Sequence, residues 1–139
     1  MVQINAHLAF NGRCEEAFHL YAECLGGEVA YMLHYRDSPA LAANPELADK
    51  VIHATLVIGS SKLTGADLPA ASYKTPAGTS LQLNIDDPEQ VRRIYATLSE
   101  GATIHLPLQP VFWAELFAVL IDRFGTPWEI NCTAPGKVN

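Results

Sequence analysis

Glu129 is the residue in this chain whose type and setting most invite chemistry. It stands between Trp128 and Ile130 in a run where Trp128, Ile130 and Cys132 alternate with Glu129 and Asn131. Period-2 alternation sends one set of side chains to a core and the other set away from it. A carboxylate on the second face is costly to bury unless it is paired or bound. It therefore reads as a general base or ligand contact, or as the structural partner of a cation such as Lys62. Gln82 has the same setting between Leu81 and Leu83. Two imidazoles join it: His7 shares a strand face with Asn5, and His53 with Thr55. Each reads either as a hydrogen-bonded structural group or as a ligand-binding one. Trp113, beside Phe112 and after Pro110, offers a flat ring that lines a groove or fills a core.

Other chemistries are absent from the pattern. Cys14 falls on the apolar face of an expected helix and Cys132 on the core face of an expected strand, and buried thiols are usually inert. The turns into helices, Asn11-Gly12-Arg13 and Asp86-Asp87-Pro88, are not the glycine-rich cradles that nucleotide-type cofactors use. No serine nucleophile elbow occurs. The net charge of −6 argues against a nucleic-acid partner. No apolar run of about 18 residues is available to span a membrane. The start, MVQINAHLAF, lacks a basic, then apolar, leader pattern. Three cysteines without metal-type spacing suggest reduced thiols and a cytoplasmic protein.

The elements that must position these residues follow from periodicity. Val2 to Phe10 alternates and predicts a strand. A helix is expected from about Arg13 to Leu25, with Cys14, Ala17, Phe18, Tyr21 and Leu25 on one face, ended by Gly26-Gly27. Strands are expected at Glu28–Tyr35, Val51–Ile58 and Lys62–Gly65, with residues 36–50 as a loop or lid. The linker 67–78 separates this half from the next. There a strand from Thr79, a helix from the Asp86-Asp87-Pro88 cap to about Glu100, and a strand Ala102–Leu106 precede the final pair. The tail 134–139 is expected to fray. Helical spacing predicts Tyr21 and Tyr95 in the core, and Tyr21 precedes Gly27 by the same interval as Tyr95 precedes Gly101. Gly59 and Gly125 each sit in the turn before the last strand of a half. The chain thus reads as one domain, 1–139, built from an internal repeat of β-α-β-β-β units at 1–66 and 79–133. The expected class is α+β, a curved mixed sheet with helices on its convex face.

This duplicated unit resembles the vicinal-oxygen-chelate superfamily, which includes glyoxalases, bleomycin-resistance proteins and extradiol dioxygenases. Within it the chain is similar to the PhnB-like branch. The matching stretches run from Leu8 to Ala17 and Tyr21 to Gly27, then His53-Ala54, Asp86-Asp87 and Pro107 to Gln109. Phe112 to Glu115 and Phe124 to Cys132 complete them. The resemblance implies a homodimer with a cavity at or near the subunit boundary. It also implies a metal position that takes one residue from the first and last strand of each half. Glu129 matches. The first strand of the second half supplies Ser80, with Gln82 next on that face. The last strand of the first half, Lys62 to Ala66, holds no His, Asp or Glu. The first strand of the first half supplies Asn5, Ala6 or His7, depending on where one gap falls.

The expected function is small-molecule binding in a concave pocket lined by His7, His53, Gln82, Trp113 and Glu129, without an intact metal centre and with no resident cofactor. An acidic member could sequester a cationic drug, as resistance proteins of the superfamily do. The alternative is a metal-dependent lyase, isomerase or dioxygenase. In it His7 and Glu129, with His53 as a further candidate, would hold Zn, Ni, Fe or Mn, and Glu129 would at times act as the base. The methyltransferase label carried by some branch members finds no cofactor motif here.

Overall fold

The computed structural model describes residues 1–133, so the expectation for the tail lies outside the described residues. Two compact units make up the chain, Met1–Lys74 and Thr75–Asn139. The first runs β1 (Ala6–Phe10), α1 (Cys14–Leu25), β2 (Glu28–His34), β3 (Val51–Ile58) and β4 (Ser61–Asp67). Its sheet has the order β1-β4-β3-β2, with β1 and β4 parallel and the other pairs antiparallel. The second runs β5 (Leu81–Ile85), α2 (Pro88–Leu98), β6 (Thr103–Val111), β7 (Ala114–Ile121) and β8 (Pro127–Cys132). Its order, β5-β8-β7-β6, repeats the first, again with the first and last strands parallel. The chain is α+β, a β-α-β-β-β unit present twice, with one four-stranded mixed sheet in each copy.

In the first unit α1 buries Cys14, Ala17, Phe18 and Tyr21, the face its spacing predicts. Gly26, at φ +70, takes the left-handed cap that glycine adopts without strain. The helix lies close on the sheet at Gly65, where an added Cβ would stand 2.7 Å from Phe18 Cζ. Asp67, which the sequence assigns to the linker, is instead the last residue of β4 and is 1% exposed. Its carboxylate accepts from the backbone N–H of Cys14 at 3.0 Å and of Val51 at 2.9 Å. One buried acid thus joins the start of the helix to the start of β3. Residues 35–47 form three short 3-10 turns, pinned by buried Tyr35 and Leu47.

In the second unit Pro88 opens α2 behind Asp87, whose side chain accepts from Glu89 N–H at 3.0 Å. Val91, Ile94 and Leu98 are buried. Tyr95, expected in the core, is only half-buried, because it lies one residue round the helix from the arc those three define. On the sheet Trp128, Ile130 and Cys132 are buried, as the alternation requires. Asp122 closes the turn between β7 and β8. Its Oδ1 accepts from Phe124 N–H and Thr126 N–H at 2.9 and 3.0 Å, and its Oδ2 from Trp128 Nε1–H at 2.8 Å.

Two strand boundaries differ from the sequence reading. β1 starts at Ala6 and not Val2. Its parallel partner β4 begins at Ser61, two residues before the Leu63 that faces Ala6, yet the pairing starts only at Ala6, and Val2 and Ile4 are exposed. β6 continues past Leu106 to Val111, through Pro107 and Pro110. It is an edge strand, where proline is tolerated on the outward side or at irregularities, and its pairing with β7 shifts register three times. Among the described residues no helix is long and apolar enough to cross a membrane.

Candidate functional site

Each helix covers one face of its own sheet, and the opposite face carries the candidate residues. In the first unit the register aligns His7, Thr64, Thr55 and Tyr31 across β1, β4, β3 and β2, so these four share a face. By alternation His53 lies on it too, two residues before Thr55. His7 Nδ1 and Thr64 Oγ1 are 2.7 Å apart, and the tautomer decides which donates. The rings of His7 and His53 are nearly parallel, at 12°, with centroids 6.5 Å apart. Tyr31 leans on His53 at 6.0 Å. His7, His53 and Tyr31 are all exposed. Partial desolvation of the ring, and then the neighbouring His53, push the His7 imidazole below its ordinary value, which favours the uncharged ring.

In the second unit the register sets Gln82 against Glu129 and Val119, and Asn84 against Asn131 and Phe117. Their side chains form a directed chain of hydrogen bonds. Asn131 Nδ2 donates to Asn84 Oδ1 at 3.1 Å, Asn84 Nδ2 to Gln82 Oε1 at 3.4 Å, and Gln82 Nε2 to Glu129 Oε1 at 3.2 Å. The chain ends on the half-buried carboxylate and orients it. Trp113 occupies the turn between β6 and β7, packed edge-on against Phe117 at 5.1 Å and Phe112 at 4.6 Å. Through Phe117 it joins the face that carries Glu129. An open cleft of about 270 Å³ lies beside this face, lined by Pro76, Gly78, Val119, Ile121 and Pro127 with His105.

The structure therefore brings His7 and His53 together in one unit, and Gln82, Glu129 and Trp113 onto one face in the other. Sequence reasoning missed Thr64 and Tyr31, which only the register across strands reveals. It also passed over His105, which reads as an ordinary strand residue until the cleft is seen. Asn84 and Asn131 were legible as polar positions, but their linkage needed the pairing of two distant strands.

The metal position implied by the resemblance can be tested on these donors. Ser80 lies outside β5, and Gln82 is the residue opposite Glu129. The corresponding pair of the first unit is His7 and Thr64. Each pair thus offers one ionisable donor, accompanied by an amide or a hydroxyl, neither of which is a usual ligand for a transition metal. Among the described residues no group of three or more His, Cys, Asp or Glu could hold a metal ion. Neither pair by itself supplies the three protein ligands that a catalytic divalent centre takes.

A family model described as 3-demethylubiquinone-9 3-methyltransferase matches residues 2–131. The crystal structure of protein PA1353 from Pseudomonas aeruginosa is 40% identical, with a TM-score of 0.87 over 96% of this chain and 98% of that one. A putative 3-demethylubiquinone-9 3-methyltransferase, PhnB protein, from Bacillus cereus is 24% identical, with a TM-score of 0.81 over 95% and 100% of the two chains. A glyoxylase/bleomycin resistance protein/dioxygenase domain from Frankia sp. EAN1pec shares the fold at 12% identity, with a TM-score of 0.67 over 96% and 99%.

Proposed function

The chain belongs to the family of the 3-demethylubiquinone-9 3-methyltransferase model, the PhnB-like branch of the vicinal-oxygen-chelate superfamily, and we propose that it is a small-molecule-binding protein. In this reading it works as a cytoplasmic homodimer without a resident catalytic metal. The observation that carries the proposal is the division of labour between sheet faces. One face of each sheet is closed by its helix. The other holds polar groups fixed by hydrogen bonds or stacked against one another, the few orienting contacts a ligand face needs. Glu129, held by the amide chain, would accept a hydrogen bond from a ligand donor or pair with a cation.

Methyl transfer is not part of the proposal. The turn before α1 has Gly12 as its only glycine, and the turn before α2 carries two aspartates, which oppose an anionic cofactor group. The deciding experiment is a thermal-shift screen of neutral, cationic and aromatic compounds. A ligand of the native state raises the melting temperature with the logarithm of its excess over Kd. Binding that weakens in Gln82→Ala or Glu129→Gln is the expected result. A broad library without one stabilising compound would end the reading.

A second reading rests on the oriented carboxylate, which has the form of a general base. It makes the protein a metal-dependent lyase, isomerase or dioxygenase of the same superfamily. Elemental analysis after addition of zinc, nickel, iron and manganese separates the two. One metal per chain, lost in Glu129→Gln, would transfer the assignment to the enzyme.

A further inference from the structure

We propose that the open face of the first unit binds a flat aromatic ring between the imidazoles of His7 and His53. This rests on the small-molecule reading above and names the chemical class of the ligand. The two rings are nearly parallel, and their centroids are 6.5 Å apart. That is wide for rings in direct face contact. It is close to the ~7 Å that two carbon contacts of about 3.5 Å add up to, the spacing that admits one further ring. Opening the slot by about half an ångström is within the freedom of exposed side chains.

The surroundings agree with a slot and not with a filled core. β1 and β3 flank β4, so the side chains beneath the gap come from β4. Those are Thr64 and Ala66, both small. Thr64 fixes the His7 ring through the 2.7 Å contact to Nδ1. Tyr31 stands at 50° to His53 and forms an aromatic wall behind it. Among the described residues His53 makes no side-chain hydrogen bond, so its position serves no evident structural pairing. A metal ion is a poor occupant of the gap. Imidazole lone pairs lie in the ring plane, and two parallel rings do not both aim theirs at a point between their faces. The ring faces meet a planar π system directly.

The test uses the full chain labelled with ¹³C-histidine and follows the imidazole C–H signals of its five histidines. His7→Gln and His53→Gln assign the two signals. The probes are naphthalene-2-carboxamide and decahydronaphthalene-2-carboxamide, which share a carbon skeleton and a polar group but differ in flatness and π electrons. The aromatic probe should move both His7 and His53 signals upfield by its ring current, and the saturated probe should not. His53→Leu should weaken binding by about tenfold, the worth of one aromatic contact of this kind. His53→Phe should retain it, which a hydrogen-bonding or charged role for His53 would not allow. Equal binding of the saturated probe would overturn the proposal. So would an aromatic probe that binds while the two signals stay still, an outcome that leaves the small-molecule reading intact. If neither probe binds at millimolar concentration the slot is likewise refuted. The broader reading then stands or falls on the thermal-shift library, which contains non-aromatic compounds.

Discussion

Asp122 shows how much one buried side chain holds in this protein. Its two oxygens take three N–H groups, among them the indole of Trp128, which is 1% exposed. Asp122→Ala leaves these donors without that acceptor. The expected cost is about 3 kcal/mol or more, since each orphaned buried donor costs about 1–3 kcal/mol. Urea denaturation followed by Trp fluorescence measures it, and a loss under 1 kcal/mol would show that water replaces the carboxylate. Neither Asp122 nor Asp67 stood out in the sequence. Acids are mostly exposed, so an aspartate at a strand end reads as surface unless its backbone partners are known. His7 gives a prediction in pH. Its folded-state pKa lies below the unfolded value of 6.5, so the unfolded chain binds more protons in the interval between the two. The resulting stability is complete above the unfolded value and is lost as pH falls through the folded one. Comparing wild type with His7→Gln from pH 7.5 to 5 isolates the effect. Curves that stay parallel throughout would contradict it.

Helices and strands were legible where the periodicity was set by burial on one face. β8 is a case in point: Trp128, Ile130 and Cys132 are all fully or almost fully buried. Legibility failed where pairing and not burial decides. β6 carries two prolines that read as breaks, and only its edge position makes them harmless. The alternation of Val2 and Ile4 is as good as that of Leu8 and Phe10, but pairing with β4 starts only at Ala6 and both side chains stay exposed. A close helix–sheet approach was also hidden, because Gly65 in a strand carries no hydrophobic signal. Gly65→Ala puts a methyl 2.7 Å from Phe18 Cζ and 3.3 Å from Cys14 Sγ. Phe18 is fully buried and has little room to retreat. The substitution should cost about 1–3 kcal/mol as the helix is forced outward. Adding Phe18→Leu should recover part of that loss, because residues in contact are not additive. If the double variant loses the full sum of the two single effects, the approach of α1 to β4 is not what Gly65 protects.

On the scale of the whole molecule, the repeat was the most readable feature, since it survives in turns and caps that tolerate few residues. Gly59 and Gly125 both have positive φ in the turn before a final strand, and both sheets follow the order first, fourth, third, second. The candidate site was less readable for the same reason. A fold is specified by burial shared over many residues, whereas a site depends on single side chains such as Thr64, whose place opposite His7 is set by pairing alone. Assembly is a further property that periodicity within one chain does not encode. The expected homodimer predicts a sedimentation mass of twice 15.1 kDa at micromolar concentration. It also predicts a melting temperature that rises with protein concentration, because association draws the equilibrium toward the folded, paired chain. A single species of 15.1 kDa with a concentration-independent melting temperature would remove the dimer. Ligand binding on the open sheet faces would then have to be accomplished by one chain alone, and the thermal-shift response would be independent of protein concentration.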